Sequence, residues 1–362
     1  MIIHSEKAYR HVNIDKTFNQ EAMMSKEILI LRHGKSDWST DVDDEQRPLK
    51  DRGKRAAQRM GAWMAREDLL PDFIISSPAE RARETAQKAV KAMGLEARLI
   101  HYDRRIYLAD VDDLLSVIDN IPRHAKRILL VGHNPGLEML LFFLADSLPS
   151  EPENGKWFPT AALARFAMPA AWQPGDKIKA QSAHLLLLQR ASDLPRKFPY
   201  PGGPGPAGQI ELRDRPAYYY TQSAVIPYRW KDKELQILIV SSSSNRHWVI
   251  PKGIVEPGLS PQLSAAKEAE EEAGTIGRVA EQEWGAYRYE KWGSVCSVKV
   301  YAMQVDKVIS DTHWEESHRA RRWVSINEAR SLLKQKQLVP ILDKMENLLQ
   351  QSKNYETGKN QF

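Results

Sequence analysis

Two histidines and two arginines, each placed where an apolar run ends, are the residues of this chain best suited to chemistry at phosphorus. Arg32-His33-Gly34 follows the run Ile28 to Leu31, Arg81 follows Phe73-Ile74-Ile75 through Ser76-Ser77-Pro78, and His133 follows Ile128 to Val131. If those runs are neighbouring strands, their C-terminal ends carry both imidazoles and both guanidiniums to one edge, where open α/β sheets bind ligands. An imidazole nitrogen there can attack phosphorus while the cations spread over the equatorial oxygens, a phosphoryl transfer that needs no metal. Asp110, after Tyr107-Leu108-Ala109, is the candidate for a proton-donating acid, with a helix cap as its other reading.

A second constellation has different chemistry. Glu268, Glu271 and Glu272 stand at i, i+3 and i+4, so the three carboxylates share one helical face. Like charges so close repel, and a divalent cation among them removes the penalty. Hard oxygen ligands with room for water and phosphate describe a magnesium or manganese site.

The elements that must position these groups follow from the pattern. Ser260-Pro261 opens the acidic helix and Gly274 closes it. Residues 52 to 66 carry Ala56, Ala57, Met60, Trp63 and Met64 at helical spacing, a crossover helix after the first strand. Gly155 to Met168 and His184 to Gln189 supply later strands, and His124 and His184 read as structural or surface residues. Leu194 to Pro206 packs five prolines and three glycines into thirteen residues, which cannot continue a helix or a central strand. The chain therefore divides into an unpatterned extension over 1–24, a first domain over 25–198, a linker over 199–214, a second domain over 215–350 and a frayed tail over 351–362. Within the second domain Tyr218 to Tyr228 and Leu235 to Val240 read as strands. Ile326 to Leu349 reads as one helix with Leu332, Leu333, Leu338, Ile341, Leu342 and Met345 on its core face.

Composition narrows the partners. A length of 362 residues with 42% hydrophobic and 27% charged residues describes two soluble globular domains. A net charge of +5 with no basic block does not point to nucleic acid, but suits anionic substrates. No apolar run is long enough to span a membrane. The single cysteine, Cys296, excludes an intramolecular disulfide, fits a reducing cytoplasm and reads as a small buried residue.

The first half resembles the histidine phosphatase superfamily, and within it the bacterial phosphohistidine phosphatase branch. The resemblance rests on Leu31-Arg32-His33-Gly34-Lys35-Ser36-Asp37-Trp38, Arg47-Pro48-Leu49 with Arg52-Gly53, Ser76-Ser77-Pro78 through Arg81 to Thr85-Ala86, and Val131-Gly132-His133-Asn134-Pro135-Gly136, in that order. It implies a three-layer α/β/α domain of phosphoglycerate-mutase type. It also implies His33 as the nucleophile, Arg32, Arg81 and His133 as ligands of the phosphoryl group, no cofactor, and phosphohistidine or a small phosphorylated molecule as substrate.

The stretch Gly253 to Gly274 resembles the Nudix hydrolase signature, which implies an α+β sandwich. Glu268, Glu271 and Glu272 then hold magnesium or manganese, and a diphosphate linkage is cleaved. Two positions depart from the signature: Leu259 stands for a glutamate and Lys267 for an arginine, with Glu256 as the candidate substitute. Ser241 to Ser244, Ile250-Pro251-Lys252-Gly253 and Trp314-Glu315-Glu316 resemble the diphosphoinositol and diadenosine polyphosphate branch. That branch implies a highly anionic substrate, with Arg246, Lys252 and either Arg319 or Arg322 on its phosphates and Glu315 or Glu316 completing the metal site. The reading is a bifunctional phosphohydrolase; its rival is a phosphatase regulated by a catalytically silent Nudix domain that senses a nucleotide or polyphosphate.

Overall fold

The computed structural model describes residues 25–152, 155–204, 210–311 and 313–359, without the side chains of 201–204, 210 and 352–359. The extension expected over 1–24 lies outside them. The described residues form two compact units, divided between Pro195 and Arg196.

The first unit is built on a six-stranded sheet. In chain order its elements are β1 (Glu27–Arg32), α1 (Asp51–Arg66), β2 (Phe73–Ser76), α2 (Glu80–Ala92), β3 (Ile100–Tyr102), α3 (Val111–Asp119), β4 (Arg127–Gly132), α4 (Gly136–Leu144), β5 (Leu163–Ala167) and β6 (His184–Gln189). The strand order is β3-β2-β4-β1-β5-β6, with β1 to β4 mutually parallel, β5 antiparallel to β1, and β6 antiparallel to β5 and so running with the first four. A strand buried on both faces reads as an unbroken apolar run, and Ile28 to Leu31 are all fully buried. Ile28 and Ile30 pack with Leu114, Val117, Leu137 and Leu141 of α3 and α4. Their neighbours Leu29 and Leu31 point to the other face, on the side of the packed pair α1 and α2. The result is the expected three layers. The strand foreseen over Gly155 to Met168 is confined to β5, because the backbone at Ala161 turns through positive φ to bond Arg32 and His33.

The second unit holds an eight-stranded mixed sheet. Its strands are β9 (Thr221–Lys231), β10 (Glu234–Ser241), β11 (Trp248–Val249), β12 (Lys252–Ile254), β13 (Thr275–Val279), β14 (Gly285–Lys291), β15 (Ser294–Val308) and β16 (Arg321–Ser325). At its centre β9 runs parallel to β15 and antiparallel to β10. Helix α5 (Pro261–Ala273) covers one face, where Ala265 and Ala269 meet Val225, Tyr301 and Met303. Helices α6 (Ile326–Leu332) and α7 (Val339–Lys359) cover the other, where Leu338, Ile341, Leu342 and Met345 meet Ile226, Ile237 and Val298.

Four expectations need correction here. The helix over Ile326 to Leu349 is broken at Leu333, which turns extended and forms a bridge with Trp248, while the Lys334 N–H donates to the Trp248 carbonyl. A helix cannot use those groups twice. The tail is not frayed from 351, since α7 continues to Lys359, and Ala217–Tyr220 form a 3-10 turn after Pro216 rather than the start of β9. Finally, the linker of 199–214 contains structure: β7 (Phe198–Pro204) pairs antiparallel with β8 (Ile210–Arg213) as a separate two-stranded ribbon. Proline is tolerated there because an edge strand need not donate on both sides. The Arg213 guanidinium lies over the rings of Tyr200 and Tyr220, at 3.2 and 4.6 Å from their centroids.

No helix among the described residues is long and apolar enough to cross a membrane.

Candidate active sites

In the first unit β1, β2 and β4 are adjacent and parallel, so their C-terminal ends deliver Arg32-His33, the α2 entry and His133 to one edge. The two imidazole centroids are 5.1 Å apart. His33, His133 and Arg81 are all buried, and Arg32 is half-buried.

Each ring is held by one nitrogen. His33 Nδ1 lies 2.7 Å from the Gly34 carbonyl, an acceptor, so Nδ1 carries the proton and the Nε2 lone pair is free for attack. His133 Nε2 lies 2.8 Å from Ser77 Oγ, while its Nδ1 is buried without a partner. If the serine hydroxyl donates to Nε2, the proton of the neutral ring sits on Nδ1. Arg32 Nη1 donates to the Phe158 carbonyl at 2.7 Å, and its buried Nε likewise has no partner. Burial is the main force on all three. It pushes the His33 imidazole down to about 4 and that of His133 to about 3, with the neighbouring cations adding to it, and it lowers Arg32 against the pull of Glu138. Both rings are therefore neutral near pH 7.

The turn that carries His33 depends on close backbone approach. A Cβ on Gly34 would stand 2.7 Å from the Gly53 carbonyl oxygen, so two glycines nineteen residues apart let the start of α1 cross the His33 turn. Thr85 Oγ accepts from the Gly34 N–H at 2.9 Å. Sequence reasoning quoted Ser77 and Thr85 within a motif but gave them no task.

It gave no task to Asp44, Tyr107 or Glu84 either. Asp44 Oδ2 stands 2.8 Å from Arg81 Nη2 and accepts from the Tyr107 hydroxyl at 2.9 Å, while its Oδ1 pairs with Arg47 Nη1 at 2.7 Å. Burial works against the Asp44 charge, but the Tyr107 hydroxyl, Arg81 and Arg47 outweigh it and hold the carboxyl below the usual range. Glu84 Oε2 accepts from the Leu49 N–H at 2.6 Å and so ties the Arg47-Pro48-Leu49 segment to α2. Asp110 is the N-cap of α3, in a capping box with Asp113, and is not presented as an acid. His184 pairs with Asp146 at 2.9 Å, a structural role.

In the second unit α5 has the caps foreseen: Ser260 Oγ accepts from the Leu263 N–H and Gly274 is left-handed at φ 59°. Such a cap is worth about 1 kcal/mol. Glu268 packs onto Gly253, where any side chain would collide with its carboxylate. Burial first, then Glu272 and Glu271, push the Glu268 carboxyl up to about 8. Glu272 accepts from the Lys252 N–H at 2.9 Å and pairs with Arg319 Nη2 at 2.7 Å, and Glu271 pairs with Lys267 at 3.1 Å. With Glu271 and Glu272 drawn to these cations, no ready-made group of three metal-binding side chains occurs among the described residues. Glu268 has neither cation nor donor in bonding reach among them. Glu268, half-buried and without a counter-charge in bonding reach, suits a hard divalent ion.

The two departing positions have these surroundings. Lys267 Nζ reaches Glu256 Oε1 at 3.2 Å, a contact between the loop before α5 and the helix. Arg319 also binds Glu316, whereas Glu315 is exposed and Arg322 pairs with Glu328. Lys252 is held by the Tyr289 hydroxyl at 3.3 Å, and burial lowers it against the pull of Glu272 and Glu268. Arg246 lines a cavity of about 250 Å³ with His247, Trp248 and His318. Cys296 is buried in β15.

A family model described as histidine phosphatase superfamily (branch 1) matches residues 28–104, and one described as NUDIX domain matches residues 220–346. An uncharacterized protein of Mycobacterium tuberculosis is 30% identical over 153 residues, which cover 40% of this chain and 93% of that one. Nudix hydrolase 12, mitochondrial, of Arabidopsis thaliana is 30% identical over 145 residues, covering 33% of this chain and 70% of its own length. The asymmetrical bis(5'-nucleosyl)-tetraphosphatase of Sus scrofa is 29% identical over 109 residues, 29% of this chain and 74% of that one.

Proposed function

Because the chain belongs to the histidine phosphatase superfamily in its first unit and to the Nudix hydrolases in its second, both phosphohydrolase families, we propose that it carries two separate centres for hydrolysing phosphorus-containing bonds. In the first, His33 is the nucleophile, and Arg32, Arg81 and His133 hold the phosphoryl oxygens. One observation carries this assignment: Arg32 Nε and His133 Nδ1 are buried without partners while His33 Nδ1 is fixed on Gly34. A phosphoryl group supplies the acceptors those two donors lack.

The substrate class follows from proton accounting. A phosphate ester leaves as an alkoxide and needs an acid, and Asp110 does not serve as one. A protonated phosphoimidazole needs none. The neutral His33 Nε2 forms its bond to phosphorus as the P–N bond breaks, and the electron pair returns to the departing ring, which leaves neutral with the proton it already held. Water then breaks the P–Nε2 bond, both its protons stay on orthophosphate, and His33 is neutral again. Phosphohistidine or a related phosphoramidate is therefore the substrate class of this centre, and it needs no metal.

The second centre uses magnesium or manganese held by Glu268, Glu271 and Glu272, with Glu256 and Lys267 fixing the loop against the helix. When bound, the ion supplies charge to the phosphate oxygens and an activated water. Arg246 and Lys252 contact the phosphates of a nucleotide or polyphosphate carrying a diphosphate linkage, a reading supported by the printed name of the Sus scrofa relative. A panel of phosphoramidates, phosphomonoesters and nucleoside polyphosphates, with and without Mg²⁺, tests both halves. H33A should abolish the metal-free phosphatase alone, and E271Q the magnesium-dependent release alone. Survival of the metal-free activity in H33A, or binding of a polyphosphate with no turnover in wild type, would overturn the corresponding half.

A further inference from the structure

The carboxylate of Asp44 is poised on the phosphate-binding cation of the first unit, at the side of the site that faces solvent. Arg81 has 8% of its side chain exposed and Asp44 42%, so the acid lies outward of the guanidinium it contacts. Arg81 gives both fork ends to this residue, Nη2 to Oδ2 and Nη1 to the carbonyl. Tyr107, which donates to Oδ2, has its ring edge-on to His133 with centroids 5.7 Å apart. The negative charge of Asp44 acts on both His33 and His133.

A phosphoryl group that takes the fork of Arg81 must replace Asp44 Oδ2 on it. The carboxylate still has Arg47 at 2.7 Å and the Tyr107 hydroxyl, so it stays beside the bound phosphorus rather than leaving the site. The substituent on phosphorus points away from the attacking nitrogen, toward solvent, because His33 is buried. From these contacts we infer that Asp44 is a specificity residue that accepts the N–H of a cationic, nitrogen-linked leaving group and disfavours leaving groups that are anionic.

This inference rests on the phosphatase reading and sharpens it to one class of bond. In the P–N cleavage described above the departing ring is an imidazolium until the bond breaks, and its second nitrogen carries the proton. A carboxylate on that N–H keeps the ring in the protonated form that leaves without an acid. The same carboxylate meets a departing phenolate or phosphate with like charge. Asp44 itself donates no proton, and none has to be moved.

The test compares kcat/KM for phosphoimidazole and p-nitrophenyl phosphate in the full-length wild type, D44N, D44E and H33A. D44N should shift the ratio of the two constants about 10- to 100-fold toward p-nitrophenyl phosphate, the range of a charge-assisted hydrogen bond, and D44E should restore part of it. If D44N changes both substrates by the same factor, Asp44 merely holds Arg81 and the inference falls. A shift toward phosphoimidazole overturns it as well. H33A separates the two levels: loss of both activities upholds the underlying phosphatase reading, while retention of either sinks that reading and the inference with it.

Discussion

Acidification should unfold the first unit well before carboxylate protonation accounts for it, because two neutral histidines are sealed beside each other at the strand ends. Their folded pKa values, about 4 for His33 and about 3 for His133, lie below the unfolded value of 6.5. The unfolded chain therefore binds more protons than the folded one between those limits, and stability present above pH 6.5 is lost as pH falls. From pH 7 to pH 5 an unfolded histidine takes up most of a proton and these two almost none. Each ring then costs about 2 kcal/mol over that window, or about 4 kcal/mol together, a large share of the stability of an ordinary domain. Urea denaturation at pH 7 and pH 5, followed by tryptophan fluorescence with the buried Trp63 and Trp172 as reporters, measures the loss. Phosphate must be absent, since a ligand that binds only the native site adds its own stabilisation. H133N should remove about 2 kcal/mol of the pH effect, and the H33N/H133N double variant about twice that. An equal loss of stability in wild type and double variant would refute the reasoning, for the acid sensitivity would then lie elsewhere.

Two further substitutions probe residues that act through others. S77A takes away the partner of His133 Nε2 and frees the ring to turn; kcat/KM for a phosphoramidate should fall about 10- to 100-fold with a stability loss of about 1 kcal/mol, and an unchanged rate would mean the ring is fixed by packing alone. E256A cuts the loop from Lys267 in the second unit; with partly exposed partners the stability change should stay within about 1 kcal/mol, while magnesium-dependent release from a nucleoside polyphosphate drops. Placing glutamate and arginine at the two departing positions, L259E/K267R, should rescue E256A, and failure to do so would remove Glu256 from the positioning role.

What could be read from the sequence was whatever is written in local periodicity. Apolar runs ending in Arg32-His33 and Gly132-His133 gave the strands, whereas the order of the sheet is set by pairings between distant segments and was not written in them. The spacing of Glu268, Glu271 and Glu272 on a helix opened by Ser260 and closed by Gly274 was equally local. Asp44, Tyr107 and Thr85 escaped because their tasks are set by partners far along the chain: Thr85 serves Gly34, 51 residues away, and Tyr107 serves Asp44, 63 residues away. Nothing in the pattern around an aspartate in a polar loop distinguishes it from a solvated one. The helix expected over Ile326 to Leu349 failed for the same reason, since a bridge to Trp248 claims the backbone at Leu333 and Lys334. Apolar periodicity persisted across the break, because both pieces cover the same face of the sheet.

The proline-rich ribbon bears on where this chain can be cut. A fragment begun at residue 210, after the last proline of the run, would keep β8 but amputate β7, stripping Tyr200 from beneath Arg213 and leaving Tyr220 as the one ring of the pair still against that guanidinium. Phe198 is buried, so the excision would also open a hole where a phenyl ring had been. A faithful separation of the halves starts upstream of Phe198, in the exposed Arg196-Lys197 pair, and a protease hunting for the seam should nick that dibasic step in preference to the prolines behind it.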